Sequence, residues 1–464
     1  MTRDLQANQV TTIIKLIKKL LRKKRTKHIA DQLAVDSNYI VPRDDHKLSK
    51  TDINTNALKV LNRLNSAGFQ AYLVGGSVRD LLLGKVPKDF DIATSATPNE
   101  IKKLFRNARI IGRRFKLVHI IFHRDIIEVA TFRGSENDEI DINHQVNERG
   151  MLVRDNIYGT LDQDAWRRDF TINSLYYNIE NASIVDLTGG TNDVAQRKVR
   201  MIGDPEVRYQ EDPVRMLRAV RFSAKLHFEI AKETAEPLMR LSPLIRHVSS
   251  SRLFDEITKL FQCGEAESVQ RLLVEHGLFA QLFEQTSSLL TSQYPVNALI
   301  CIALENTDMR IRDNKPVTPA FLFAVLLWFP LLECAKRLQE EDGLDPLPAL
   351  EKAMSQVISE QNKVIMIPKR FTQIVREMWL LQYRFPKRHG GRAFNLLHHP
   401  RFRAAYDFLA LRALAGDESL ELAQWWTTFQ ELSEPEQTEM ITALSPQAAP
   451  AKRRKRRKPK TDAS

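Results

Sequence analysis

The sequence predicts a small α/β head built on a mixed sheet, followed by an all-α neck and body and a disordered basic C-terminal tail. Three observations carry this. Between Phe69 and Phe132, apolar runs of strand length alternate with short helical patterns. From Glu233 onward the helical periodicity is nearly unbroken, and residues 446–464 are rich in Pro, Ala, Lys and Arg. A chain of 464 residues exceeds a single core. Five segments are expected: a basic amphipathic extension and linker (1–55), the head (56–190), a helical neck (191–265), a helical body (266–445) and the tail (446–464).

The formal charge is +12, from 69 Lys and Arg against 57 Asp and Glu. Residues 1–30 hold nine basic side chains against Asp4, and residues 451–464 hold eight against Asp462. With +8 and +7 at the ends, −3 remains for residues 31–450. A polyanion gripped partly by terminal arms is the expected partner, in a salt-sensitive and sequence-blind mode. Cys263, Cys301 and Cys334 are widely spaced and form no metal or redox pattern, as a reducing cytosol allows. No apolar run approaches the roughly 18 residues that span a bilayer. A soluble, cytoplasmic monomer is expected.

Residues 13–25, IIKLIKKLLRKKR, place Ile13, Ile14, Leu16, Ile17, Leu20 and Leu21 on one helical face and basic side chains on the other. Such a helix can lie on RNA, on the anionic inner face of a membrane, or on a partner; its short apolar runs exclude a signal peptide. Residues 31–55 read as a polar linker into a helix over 56–67. Residues 71–74 form an apolar run that ends on Gly75-Gly76, and a helix is expected over 77–83. Glycines there let a triphosphate approach backbone N–H groups, the helix start points its positive end at the same anion, and Arg79 is placed to clamp a phosphate. The next strand is expected over residues 88–92. Its alternation turns Asp89 and Asp91 to one side and Phe90 and Ile92 into the core. Two carboxylates so close repel unless a cation lies between them. Mg²⁺, with Mn²⁺ as the alternative, takes carboxylates together with phosphate oxygens.

Thr97-Pro98-Asn99-Glu100 is a capping box that opens a helix to about residue 105, and strands follow over 108–111, 117–122 and 126–132. Glu128 on the last of these stands either as a third metal carboxylate or as the ion-pair partner of Arg133 or another arginine. Residues 135–150 are polar and read as a loop, whether lid, substrate guide or plain surface. In residues 164–177, DAWRRDFTINSLYY, Arg167, Arg168 and Asp169 precede an apolar stretch, which by itself reads as a helix cap with a surface ion pair. Residues 184–190 look like a strand ending in a turn. In residues 211–221, EDPVRMLRAVR, Asp212 is expected to cap a helix with Pro213 at its first position, so that Arg215 and Arg218 share a face. Beyond, Ser250 and Ser251 open a helix to 260, residues 321–328 and 378–383 are long apolar stretches, and Trp425 and Trp426 close the last strong helix. Basic clusters at 369–370, 387–389 and 398–403 suit an RNA track or a solvated face equally.

Joined, Gly-Gly-x-x-Arg-Asp at 75–80 and Asp-x-Asp at 89–91 resemble the signature of class II nucleotidyltransferases, the group that holds bacterial poly(A) polymerases and CCA-adding enzymes. The resemblance covers residues 40–265 and implies a polymerase-β-like nucleotidyltransferase head. It implies Asp89 and Asp91 as catalytic carboxylates holding two Mg²⁺ ions, with Gly75, Gly76 and Arg79 at the triphosphate. Arg167-Arg168-Asp169 matches a family motif that holds the incoming nucleotide, with the acid near the ribose or the metal. On that match Arg168 is assigned to the nucleotide and Asp169 to the catalytic set. Glu211-Asp212-x-x-Arg215 matches the family's base-reading pattern, with Arg218 alongside.

The chemistry of that last pattern can be argued directly. An aspartate only accepts hydrogen bonds and an arginine only donates them. Adenine and cytosine offer an amino donor beside a ring-nitrogen acceptor, whereas guanine and uracil present a carbonyl and an N–H. An Asp212/Arg215 pair therefore admits A or C and rejects G and U without a template. The run 110–120, IIGRRFKLVHI, and the basic ends resemble those of bacterial poly(A) polymerases, and the chain lacks the His-Asp dipeptide of the phosphohydrolase domain attached to some CCA-adding enzymes. The implied activity is template-independent addition of AMP from ATP to RNA 3′ ends, giving tails that mark RNA for decay. The alternatives are a CCA-adding enzyme and, from another class, a non-catalytic RNA-binding protein.

Overall fold

A computed structural model describes residues 39–112, 116–134, 144–146, 152–155, 157–290 and 294–444. The basic segment 13–25, the tail 446–464 and most of the 135–150 loop lie outside the described residues. The chain divides into two units. One comprises Met1–Arg215 with Leu226–Pro237, the other Met216–Lys225 with Leu238–Ser464.

Among the described residues the first unit holds twelve strands: β1 (Ile40–Val41), β2 (Ala71–Val74), β3 (Ile92–Thr94), β4 (Ala108–Ile111), β5 (Leu117–Phe122), β6 (Asp125–Thr131), β7 (His144–Val146), β8 (Leu152–Asp155), β9 (Leu175–Asn178), β10 (Ser183–Asp186), and a short parallel pair, β11 (Lys198–Val199) and β12 (Glu229–Ile230). Eight of them form one sheet in the order β1-β10-β9-β2-β3-β6-β5-β4, and β7 pairs with β8 as a separate hairpin. Within the large sheet β3 and β6 run parallel and every other neighbouring pair is antiparallel, the mixed sheet expected. The associated helices are α1 (Thr55–Ser66), α2 (Gly76–Leu82), α3 (Pro98–Leu104), α4 (Leu161–Trp166), α5 (Gly190–Ala195), α6 (Pro205–Glu211) and α7 (Val214–Leu226).

Period-two alternation sorts the sheet's side chains. Tyr72, Val74, Ala93, Tyr176 and Val185 face one side, where Leu161 and Ala165 of α4 pack on them. Leu73, Ile92, Tyr177 and Ile184 face the other and are fully buried. Helix α1 packs on β2, β3 and β6 through a stripe that includes Val60, Leu61 and Leu64, and Asn54 caps it by accepting from the Asn56 and Ala57 amides. Helix α3 opens with the expected Thr97/Glu100 capping box and Pro98.

Two expectations change. The strand expected over residues 88–92 begins only at Ile92, so Asp89 and Asp91 lie in the segment leading into it. The reason is the neighbouring strand. Val74 still donates its amide to the Asp91 carbonyl at 3.0 Å, but Gly75 (φ 72°) then turns β2 away and leaves nothing for residues 88–90 to pair with. Phe90 is accordingly half-buried, not in the core. The linker expected over 31–55 is ordered from its described start: Ile40 and Val41 pair with Val185 and Ile184 at the sheet edge, and Leu48 and Ile53 are buried.

The second unit is helical throughout its described residues. Ser250–Phe261 forms one helix, the apolar stretch 321–328 is divided at Leu327 between Pro319–Leu326 and Trp328–Asp342, and residues 378–383 lie inside Lys369–Arg384. A further helix, Glu434–Ala443, follows the Leu420–Glu431 helix that carries Trp425 and Trp426. Its aromatic core includes Phe385, Phe402, Tyr406, Trp425, Trp426 and Phe429, with the Trp426 indole donating to the Phe385 carbonyl at 3.1 Å. Among the described residues no single helix is long and apolar enough to cross a membrane.

Candidate active site

Strand pairing lines up one lateral row. Val74 pairs with Tyr176 and bonds to Asp91, and the parallel register Ile92 to Val129 carried back one residue sets Asp91 beside Glu128. The row opens into a cavity of about 280 Å³ whose polar lining is Asp91, Glu128, Arg133, Asp164, Arg167 and Arg168. The Asp91 carboxyl is pushed up to about 6, first by desolvation in this concave setting, then by the negative charges of Glu128 and Asp89; Arg168 opposes the rise. Glu128 is held from the adjacent strand by His119, Nε2 to Oε2 at 3.4 Å.

These acids fit a divalent cation in a specific sense. They are hard oxygen donors, and the crowding that disfavours charge on Asp91 is what a cation relieves. Among the described residues no three acidic, His or Cys side chains form a ready-made metal cage.

Arg133, Arg167 and Arg168 line the same cavity as the acids. Arg168 donates from Nε to Tyr176 Oη (2.7 Å) and from Nη2 to Asp164 Oδ2 (3.0 Å), while its Nη1 reaches the Asn173 carbonyl at 3.3 Å. Burial alone would lower the Arg168 pKa, but Tyr176 and Asp164 hold it raised. Arg167 is pushed down to about 9 by burial and then by Arg133, Arg208, Arg168 and Arg215. Five guanidinium groups gathered this closely mark a place for an anion of high charge. Arg208 ties the neighbourhood together, giving Nη2 to the carbonyls of Arg167 (2.6 Å) and Arg168 (2.7 Å) and Nη1 to Glu211 (2.9 Å).

Several assigned residues take positions other than those expected. Arg79 is not presented to a phosphate: it is buried, with Nη1 on Asn173 Oδ1 (2.6 Å) and Nε on Asp80 Oδ1 (2.9 Å). The Gly75 amide is taken by the Leu175 carbonyl at 3.0 Å; what the glycine provides is room, since a Cβ there would stand 3.3 Å from the Asn173 carbonyl and 3.5 Å from Arg168 Nη1. A Cβ on Gly76 would likewise meet Arg79 at 3.4 Å. Asp169 is turned to Asn173, whose Nδ2 donates to Oδ1 at 3.1 Å, and its charge acts on Arg208; the acids acting on Asp91 are Glu128 and Asp89. Arg215 gives Nη1 to Glu211 Oε2 (2.7 Å) and to the Arg208 carbonyl (2.7 Å), so its acidic partner is Glu211, while Asp212 Oδ1 accepts the Val214 amide at 3.3 Å as a helix cap. Arg218 lies in the part of α7 that belongs to the second unit, with its guanidinium 5.3 Å from the Phe222 ring.

Sequence reasoning missed Asp164, Asn173, Tyr176 and Arg208. Asp164 carried a usable signal, the i,i+4 spacing to Arg168. Asn173 carried none: it joins Arg79 to Asp169 and Arg168, residues of two separate motifs, only because the fold brings them together.

Comparison with known proteins adds lineage to this geometry. Residues 71–200 match the poly(A) polymerase head-domain family, residues 227–290 a family described as a probable RNA- and SrmB-binding site of polymerase A, and residues 342–460 the polymerase A arginine-rich C-terminus. The chain is 50% identical over 423 residues to a poly(A) polymerase I of Salmonella typhi, covering 90% of this chain and 91% of that one. It is 44% identical over 444 residues to that of Haemophilus influenzae, covering 94% and 98%. A CCA-adding enzyme of Bacillus velezensis is more distant, 36% identical over 52% of this chain and 60% of its own. Among solved structures a tRNA-processing enzyme in an apo form shares the fold, with a TM-score of 0.55 at 21% identity over 86% of this chain and 97% of that one.

Proposed function

The chain belongs to the poly(A) polymerase I family, and on that premise we propose that it adds AMP from ATP to RNA 3′ ends without a template, releasing pyrophosphate. The observation that supports this reading is a single cavity lined both by Asp91 and Glu128 and by Arg133, Arg167 and Arg168. Arg133, Arg167 and Arg168 bind the triphosphate, and the water-poor wall around them strengthens that attraction. Asp91, with Asp89 and Glu128, would hold a divalent cation, Mg²⁺ or Mn²⁺, which would supply positive charge to the phosphoryl transfer. Asp91 and Glu128 orient the RNA 3′-hydroxyl, and the Glu128 carboxylate accepts its one proton as the oxygen bonds to the α-phosphate and pyrophosphate leaves. Asn173 fixes Asp169 at the sugar end, and Asp212 and Arg215 read the base edge, with Glu211 aiming the arginine.

The test uses labelled ATP with the parent and Asp91→Ala proteins; equal incorporation by the two overturns the reading. Supplying CTP as well, on a tRNA lacking its last three nucleotides and on a generic RNA, separates the products. Long A tails on both are expected, whereas a stop after C-C-A marks the more distant relative's reaction. We propose a cytoplasmic enzyme whose residues 13–25 lie on RNA, with contact at the inner membrane face as the alternative. Identical fractionation of the full chain and of one beginning at Ile40 removes the membrane contact.

A further inference from the structure

The helical unit contains a cavity of about 350 Å³ where the helices Pro346–Val364, Lys369–Arg384 and Gly391–Leu397 meet. Leu347, Leu380 and Leu396 give it an apolar lining. Tyr383 adds an aromatic ring, with Lys387 Nζ 3.6 Å from its centroid. Arg384 and Arg392 also line it; both are exposed, and among the described residues neither guanidinium makes a hydrogen bond or ion pair. Arginines nearby in the chain behave differently: Arg401 is paired with Glu377 at 3.1 Å, Arg403 with Asp407 at 3.0 Å and Arg412 with Asp417 at 2.7 Å. His399 Nδ1 accepts the Arg401 amide at 3.1 Å, which leaves the ring proton on Nε2 as a donor. Glu351 is the one carboxylate on the wall.

Three cations against one carboxylate select an anion, and an apolar, aromatic lining selects a flat ring. A nucleotide unit of single-stranded RNA carries both parts, and the volume falls in the range of small-ligand pockets. We propose that this cavity holds one nucleotide of the RNA strand, its phosphate on Arg384, Lys387 and Arg392 and its base against Leu380, Leu396 and Tyr383. Glu351 only accepts hydrogen bonds, so it favours a base with an amino group. The inference rests on the RNA substrate proposed above. It adds a subsite outside residues 227–290, the segment matched as a probable RNA-binding site.

The full chain is compared with Arg384→Gln/Arg392→Gln, Tyr383→Leu and Glu351→Gln. Measured are binding of a long oligoadenylate across a salt series, binding of free AMP, and adenylate incorporation on a short primer. The first two variants are expected to lose on the order of 10-fold in oligoadenylate affinity. The double variant also flattens the slope of log K against log salt by about 0.7 for each phosphate left without its cation. Retained incorporation on the short primer shows that the variants fold, and Glu351→Gln narrows the preference for oligoadenylate over oligouridylate. Parental affinity and salt slope in the double variant overturn the proposal. So does a loss confined to free AMP, which marks a mononucleotide site. Failure of the parent protein to incorporate AMP sinks the function proposed above instead, and the binding comparison still reads out.

Discussion

Asp91 and Glu128 are lateral neighbours, each one residue ahead of the Ile92–Val129 pair on adjoining parallel strands. Side chains in register on parallel strands face the same way, so the two carboxylates share one patch of the cavity wall. Glu128→Gln is therefore expected to lower kcat by about 100-fold or more. It should also weaken Mn²⁺ binding followed by electron paramagnetic resonance. Asp169→Asn, acting from the Asn173 side, should raise KM for ATP more than it lowers kcat. Equal effects of the two substitutions on kcat would show that Asp169 belongs to the reacting set.

The raised Asp91 pKa makes stability depend on pH. Between the ordinary 3.8 and about 6 the folded protein holds a proton that the unfolded chain has released. Stability therefore falls as pH rises through that window, and the loss persists above it. Above the window, metal-free Asp91→Asn should melt higher than the parent, by no more than about 1 kcal/mol once solvent screening at this exposed group is allowed for. Below the window the two should melt together. Above the window, adding Mg²⁺ should raise the melting temperature of the parent more than that of the variant; thermal unfolding on both sides of the window checks these outcomes.

Gly75→Ala forces a side chain into a backbone with φ 72° and ψ −125°, and sets its Cβ against the Asn173 carbonyl and Arg168. A cost of about 1–3 kcal/mol is expected, with a loss of turnover because Arg168 must move. Gly84 also has a positive φ (68°), but a Cβ there meets nothing within 4 Å. Gly84→Ala should cost only about 1 kcal/mol and leave turnover intact. Chemical denaturation of both variants isolates the contact from the strain.

Glu211 accepts from Arg208 at 2.9 Å and from Arg215 at 2.7 Å. Glu211→Ala should free Arg215 from its aimed position, and the ratio of kcat/KM for ATP over GTP should fall by at least about 10-fold. Arg208→Lys cannot span the Arg167 and Arg168 carbonyls with one planar group. It is expected to cost about 1–3 kcal/mol of stability and to raise KM for ATP. An unchanged nucleotide preference in Glu211→Ala would remove the aiming role.

What the sequence determined by itself was local. The strand at 71–74, the glycine turn behind it, the Thr97/Glu100 capping box and the helical second half follow from periodicity and capping, which act over a few residues. The paired motifs at 75–80 and 89–91 carried the resemblance to class II nucleotidyltransferases, and both are legible because each lies within one short segment of chain. Tertiary structure alone decided which charges meet. It set Glu128 beside Asp91 through a parallel register, gave Arg79 to Asn173 and Asp80 instead of a phosphate, gave Arg215 to Glu211, and held the start of β3 back to Ile92 because β2 turns away. Ion pairing and register are settled by distances of a few ångströms between segments far apart in the chain, and no local propensity encodes those distances.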